Sequence, residues 1–243
     1  MARYSTSSRR PELRIEVIPE EAWAARVVDE WLNRLDTADG LRMVLPTGST
    51  PRPIYDELAA RQPDLSSSEL FILDEFLGLP PRHPARCDTM IERDLILRLD
   101  RPPAVFAFDP EAADLDAEAI RYGELVAAEH IDLTMLGLGL NGHLALNEPG
   151  SMAQDGARVV DLHPATMTSM DSDPMPEQGI TLGLAEILDS EEVWLLVSGP
   201  GKASVLARAV EGPIGPEVPA SFLRDHPNAI VFADEPAAAD LAG

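Results

Sequence analysis

The stretch that most narrows the possible folds is Leu133 to Pro149, where an apolar run gives way abruptly to GLGLNGHLALNEP. Leu133 to Leu138 reads as a buried strand. Glycines at 137, 139 and 142 forbid its simple continuation, so the chain must turn where the strand ends. In an open α/β sheet, ligands bind where the chain leaves the carboxyl end of a strand. His143 and Glu148 stand five positions apart on this turn, close enough for imidazole and carboxylate to touch. A carboxylate partner fixes the tautomer of a histidine and raises its basicity, which suits proton transfer near neutral pH. A glycine-rich turn with a surface His and Glu is the competing reading at this point.

The rest of the chain repeats the alternation of short apolar runs with longer amphipathic ones, which predicts a mainly parallel sheet covered by helices. Strands are expected at 14–18, 42–45, 70–73, 104–108, 133–138, 158–162, 193–198 and 229–233. Helices are expected at 19–35, 51–61, 88–97, 112–129, 201–211 and in a segment after Asp234. Pro19 with Glu20 and Glu21 suits a first helical turn, where a missing N–H and negative charge are both welcome. Residues 1–12 are basic and Ser-rich and read as a flexible lead-in, with 13–243 as one domain. Only 150–179 lacks a clear pattern; it is either a lid over the preceding turn or a plain surface loop.

Charge and cysteine content exclude several function classes. A formal net charge of -23 argues against nucleic acid and anionic membranes as partners, since both require a basic face. No apolar run approaches the length of a bilayer span, and the N-terminus lacks the apolar core of a secretory signal. Cys87 is the sole cysteine, so no intrachain disulfide or thiolate cluster can form, and a reduced, cytoplasmic setting is expected. No His/Cys/Asp grouping has metal-ligand spacing, and no G-x-S-x-G elbow occurs. His83, His130, His163 and His226 are isolated and read as structural or solvent-facing.

Three further segments carry chemistry. Between a strand and a helix, Thr47, Gly48, Ser49 and Thr50 offer hydroxyls and backbone N–H groups where the helix dipole favours an anion. This lacks the lysine of a nucleotide P-loop, so a compact phosphate fits better, with a simple capped helix start as the alternative. Asp74-Glu75 ends a strand, and Asp74 there suits a general base acting on carbon next to a carbonyl; a cap or turn role for either residue competes. Lys202 is the single lysine in a chain that otherwise uses arginine, and it follows SGPG at a helix start, where an ammonium would neutralise a phosphate.

In order along nearly the whole chain, PTGSTP at 46–51, LDEFLGLPPRHP at 73–84, GLGLNGHLALNEPG at 137–150, SGPGKA at 198–203 and PASFLRDHP at 219–227 resemble the glucosamine-6-phosphate deaminase (isomerase) family, relatives of the 6-phosphogluconolactonases. Asn147-Glu148-Pro149 and the DEFLGLP form look like the deaminase branch. The resemblance implies a Rossmann-like α/β fold with helices on both faces of the sheet, and conversion of an amino-sugar phosphate to a ketose phosphate plus ammonia. It implies that His143, oriented by Glu148, opens the sugar ring. Asp74 would move the C2 proton to C1, and Thr47 to Thr50, Gly137 and Lys202 would hold substrate and phosphate. No cofactor or metal is expected, and the assembly is expected to be a monomer or small homo-oligomer.

Two departures stand out. Asn141 occupies a position where many deaminases have aspartate, and an amide can position but cannot accept a proton. The family's lid usually carries a phosphate-binding arginine, yet 165–172 reads ATMTSMDS with no basic residue. Such a loss would cost about 1.5–3 kcal/mol per charged hydrogen bond, and Asp171 and Asp173 would add repulsion. Another arginine, for instance Arg158 or Arg224, is expected to substitute, or else the substrate differs from glucosamine 6-phosphate. A lactonase or another phosphosugar isomerase, and a non-catalytic sugar-phosphate sensor, are the rival functions.

Overall fold

Alternate residues of the central strands pack to opposite faces, as the period of two of a pleated strand requires. Met43 and Leu45 of β2 (Arg42–Leu45) face one core with Trp194, Leu196 and Phe232, while Val44 faces the other with Leu195, Val197 and Val231. A sheet buried on both faces explains why its strands read as continuous apolar runs.

The protein, described here from a computed structural model, is defined over residues 13–168 and 172–242. The expected lead-in at 1–12 and Asp171 lie outside the described residues. The main sheet also contains β1 (Arg14–Ile18), β3 (Glu69–Ile72), β5 (Ala104–Phe106), β6 (Leu133–Gly137), β9 (Glu192–Val197) and β10 (Ala229–Asp234). Its order is β1-β10-β9-β6-β2-β3-β5, and every pairing is parallel. On one face lie α1 (Trp23–Leu35), α2 (Arg52–Arg61) and α3 (Cys87–Asp94), anchored by Trp31, Tyr55 and Ile91. On the other lie α4 (Leu115–Ala127), α6 (Leu184–Leu188) and α7 (Ala203–Glu211), anchored by Tyr122, Ile187 and Leu206. The expected parallel sheet with helices on both faces is thus present.

The structure corrects several boundaries. The expected strand 70–73 stops at Ile72; Asp74 then opens a separate strand, β4 (Asp74–Phe76). Its antiparallel partner β8 (Gln178–Thr181) also pairs with β7 (Arg158–Asp161), so β7 belongs to a second, three-stranded sheet rather than the main one. Helix α4 begins at Leu115, not 112, because the Asp114 side chain accepts the Ala117 N–H at 3.0 Å and caps it. The segment after Asp234 is a series of turns, not a helix: Asp234 accepts the Ala237 N–H at 2.8 Å and bends the chain. Within 150–179 the chain forms β7, the short α5 (Pro164–Thr168) and the start of β8.

Candidate active site

The carboxyl ends of β2 and β6 lie side by side where the strand order reverses, since β3 and β5 extend one way and β9 and β10 the other. Such a switch point leaves a crevice. Here it is a cleft of about 580 Å³. Thr47, Gly48, Ser49 and Thr50 line it from the loop after β2, Asp74 from β4, Gly137, Asn141 and His143 from the β6 turn, and Lys202 from the turn after β9. Glu148 stands directly behind His143.

The β6 turn is built to aim the imidazole. His143 Nδ1 lies 3.0 Å from Glu148 Oε2, the same oxygen that accepts Asn141 Nδ2 at 2.7 Å. Asn141 Oδ1 in turn accepts the His143 backbone N–H at 3.2 Å. The other Glu148 oxygen accepts the Thr166 hydroxyl from α5. Asn147 is fully buried and its amide donates to Leu144 and Leu182 carbonyls at 3.0 and 2.9 Å, locking the turn that carries Glu148. Only glycine fits at 139, because a Cβ there would lie 2.4 Å from the His143 ring. Burial by itself would raise the Glu148 pKa, but the hydrogen bond and charge of His143, with Thr166 and Asn141, hold it at about 2.

Asp74 is buried, 8% exposed, and its Oδ1 accepts the Cys87 thiol at 3.5 Å. Cys87 Sγ accepts the Thr47 hydroxyl at 3.3 Å, so the loop after β2 is tied to Asp74 through one sulfur. Burial pushes the Asp74 pKa up to about 6, against the lowering effects of the Cys87 hydrogen bond and the nearby His143. Glu75, one residue on, points the other way along β4. It accepts the backbone N–H groups of Cys87 and Asp88 at 2.8 and 2.9 Å, binding the start of α3. The two competing roles at this dipeptide are therefore divided: Asp74 faces the cleft and Glu75 caps a helix.

In the turn after β9, Lys202 Nζ donates to the Leu138 carbonyl at 2.6 Å, and burial pulls its pKa below the ordinary lysine value. Buried Asp234 accepts the Ser198 hydroxyl and Gly199 N–H at 2.7 and 2.8 Å, fixing the turn that delivers Lys202. Gly48 has φ +100, a conformation suited to glycine, and no side chain caps α2. Tyr55 donates to the Pro46 carbonyl at 2.6 Å and anchors the loop's first residue.

A family model described as glucosamine-6-phosphate isomerases/6-phosphogluconolactonase matches residues 19–232. The chain belongs to this family. A glucosamine-6-phosphate deaminase of Beutenbergia cavernae is 36% identical over 242 residues, covering 94% of this chain and 93% of the relative. One from Pseudarthrobacter chlorophenolicus is 38% identical, covering 90% and 87%. Among solved structures, a monomeric glucosamine-6-phosphate deaminase superposes with a TM-score of 0.88 at 27% identity, covering 94% of this chain and all of that one. The 6-phosphogluconolactonase of Thermotoga maritima shares the fold, with a TM-score of 0.74 at 22% identity over 92% of this chain and all of that one.

Within this family member, the arginines expected to replace the missing lid residue do not. Arg158 donates to the Gly156 carbonyl and Ser151 hydroxyl, Arg224 donates to the Gly212 carbonyl, and neither lines the cleft. Asp173 is also absent from the cleft wall; its carbonyl accepts from His83 Nε2 at 3.1 Å. Sequence reading missed Cys87, Thr166, Arg52 and Arg93, all of which touch or line the site. Arg52 sits one residue past the PTGSTP segment and was within reach of it; the others depend on long-range packing. Among the described residues, no group of three or more His, Cys, Asp or Glu is placed to hold a metal, and no helix is long and apolar enough to cross a membrane.

Proposed function

We propose that the protein is a glucosamine-6-phosphate deaminase, converting its substrate and water to fructose 6-phosphate and ammonia. One observation carries the reading: buried Asp74 and the His143–Glu148 pair share one cleft with Lys202 and the 47–50 loop. Two proton-transfer groups beside an anion cradle are what an aldose–ketose shift of a phosphosugar requires. The two deaminases named above, and the monomeric one, support it.

In this scheme Glu148 holds Nδ1 of His143, leaving Nε2 to move a proton between O5 and O1 as the ring opens. Asn141 serves by positioning, since its amide restrains both partners of that pair. Asp74 then takes the C2 proton and returns it at C1, carrying the C1–C2 unit through an enol-type intermediate. The resulting C2 imine adds water and releases ammonia. Gly137 leaves the floor of the cleft open, while the backbone and hydroxyls of Thr47 to Thr50 and the Lys202 ammonium hold the 6-phosphate. Steps of this kind each supply on the order of a hundred- to ten-thousand-fold. A small or monomeric assembly in the cytoplasm suits a metabolic enzyme with a single, buried cysteine.

The test is direct. Purified protein given glucosamine 6-phosphate should release ammonia and fructose 6-phosphate in equal amounts. Hydrolysis of 6-phosphogluconolactone with no ammonia from any amino-sugar phosphate would replace the reading with a lactonase.

A further inference from the structure

Two arginines on the cleft wall have no part in the scheme above. Arg52 is the first residue of α2 and Arg93 lies in the last turn of α3, and both reach the same carboxylate, Asp94. Arg93 grips it with Nε on Oδ1 at 2.6 Å and Nη2 on Oδ2 at 2.7 Å. Arg52 uses Nε alone, 3.4 Å from Oδ2. The two terminal nitrogens of Arg52 and Nη1 of Arg93 make no hydrogen bond among the described residues. Asp94 is only 12% exposed, whereas the guanidinium side chains are 50% and 46% exposed. The acceptor is thus spent inward while donors face the open cleft.

The charge balance of the wall points the same way. Its lining holds Arg52, Arg93 and Lys202 against Asp74, with Asp94 engaged behind the two arginines, which leaves a net positive wall on a chain whose net charge is -23. A concave cationic patch on an acidic molecule concentrates small anions. From the described part of 165–172 the wall takes Thr166 and no basic group.

We propose that Arg52 and Arg93, held as a pair by Asp94, form an anion subsite at the cleft rim that grips the substrate's phosphate. This subsite does the work that 165–172, lacking any arginine or lysine, leaves undone. The proposal rests on the phosphosugar reading. Each guanidinium offers a planar fork of N–H donors that matches phosphate oxygens, and the Asp94 clamp limits the rotamer entropy lost on binding.

The experiment has two arms, on Arg52→Gln, Arg93→Gln and the double variant of the full chain. Calorimetric titration with inorganic phosphate reads the subsite independently of turnover, and steady-state kinetics with glucosamine 6-phosphate reads it in catalysis. The phosphate Kd and the KM should each rise about tenfold per arginine removed, with kcat within about threefold of the parent. If the parent binds phosphate through these arginines yet turns over no amino-sugar phosphate, the subsite stands and the deaminase reading falls. If the double variant keeps the parent's phosphate affinity and KM, or the parent binds no phosphate, the subsite is overturned.

Discussion

The Cys87 thiol lies 3.5 Å from Asp74 Oδ1 and is itself held by the Thr47 hydroxyl at 3.3 Å. Its backbone N–H is bound by Glu75, so one residue at the start of α3 is gripped by both carboxylates of the Asp74-Glu75 pair. Burial drives the thiol pKa well above its ordinary value, so it stays a neutral donor and acts as a positioning group. It occupies Oδ1 of Asp74, and in the proposed mechanism Oδ2 is the oxygen left to act on substrate.

Replacing Cys87 should therefore be read in the pH profile. The thiol hydrogen bond lowers the Asp74 pKa from what burial alone would set. Cys87→Ala removes it, so the acid limb of kcat/KM, placed near pH 6 by Asp74, should move to higher pH. Cys87→Ser keeps a donor and should restore the parent profile. An unmoved limb in the alanine variant would show that Asp74 does not need the thiol.

Asp74→Asn should abolish turnover, lowering kcat by about a thousandfold or more, because an amide cannot take the C2 proton. It should also stabilise the fold at neutral pH. A carboxyl whose folded pKa is raised to about 6 favours folding below its ordinary range near 3.8 and loses that favour as pH rises through 6. The variant should gain on the order of 2 kcal/mol over the parent above pH 6, with the difference fading below pH 4. Denaturant titrations at pH 4 and pH 8 check this.

For Glu148 the sign is reversed. Its folded pKa of about 2 lies below the ordinary 4.5, so its contribution is complete above 4.5 and is lost as pH falls through 2. Glu148→Gln should cost on the order of 2 kcal/mol at pH 7 and almost nothing below pH 2, with a kcat reduced about a hundredfold as His143 loses its anionic partner. Equal acid unfolding of parent and variant would contradict the assigned His143–Glu148 contact.

Lys202→Ala should raise KM for the phosphosugar about tenfold while changing kcat little, since in the proposed mechanism the ammonium holds the 6-phosphate, remote from C1 and C2. Asp234→Ala should mimic it in part, because Asp234 fixes the turn at Ser198 and Gly199 that sets the lysine's position. Isothermal binding of fructose 6-phosphate separates this from a loss of folding.

The misjudged boundaries have two kinds of cause, distant strand pairing and local side-chain caps. β4 has three residues and β8 four, too short to show a period; β4 exists because β8 lies beside it, and β8 because it sits between β4 and β7. The turns after Asp234 carried apolar residues enough to suggest a helix, but the buried Asp234 carboxylate outweighed that local pattern. At the site, His143 and Glu148 were legible because a contact five residues apart is decided by the turn itself. Thr166 on Glu148, Cys87 on Asp74 and Arg52 on Asp94 join residues 18, 13 and 42 positions apart, and no local signal marks them.

By itself, then, the sequence determined the parallel α/β plan, the strand-end turns and the contact between His143 and Glu148, because apolar periodicity and glycine placement act over a few residues. Only the tertiary structure decided which member of each pair serves the cleft. It turned Asp74 inward and Glu75 onto a helix end, left Arg158 and Arg224 elsewhere, and brought Arg52 and Arg93 to the rim. The physical reason is desolvation: a buried charge or donor takes the partner that packing provides, and packing joins segments far apart in the chain.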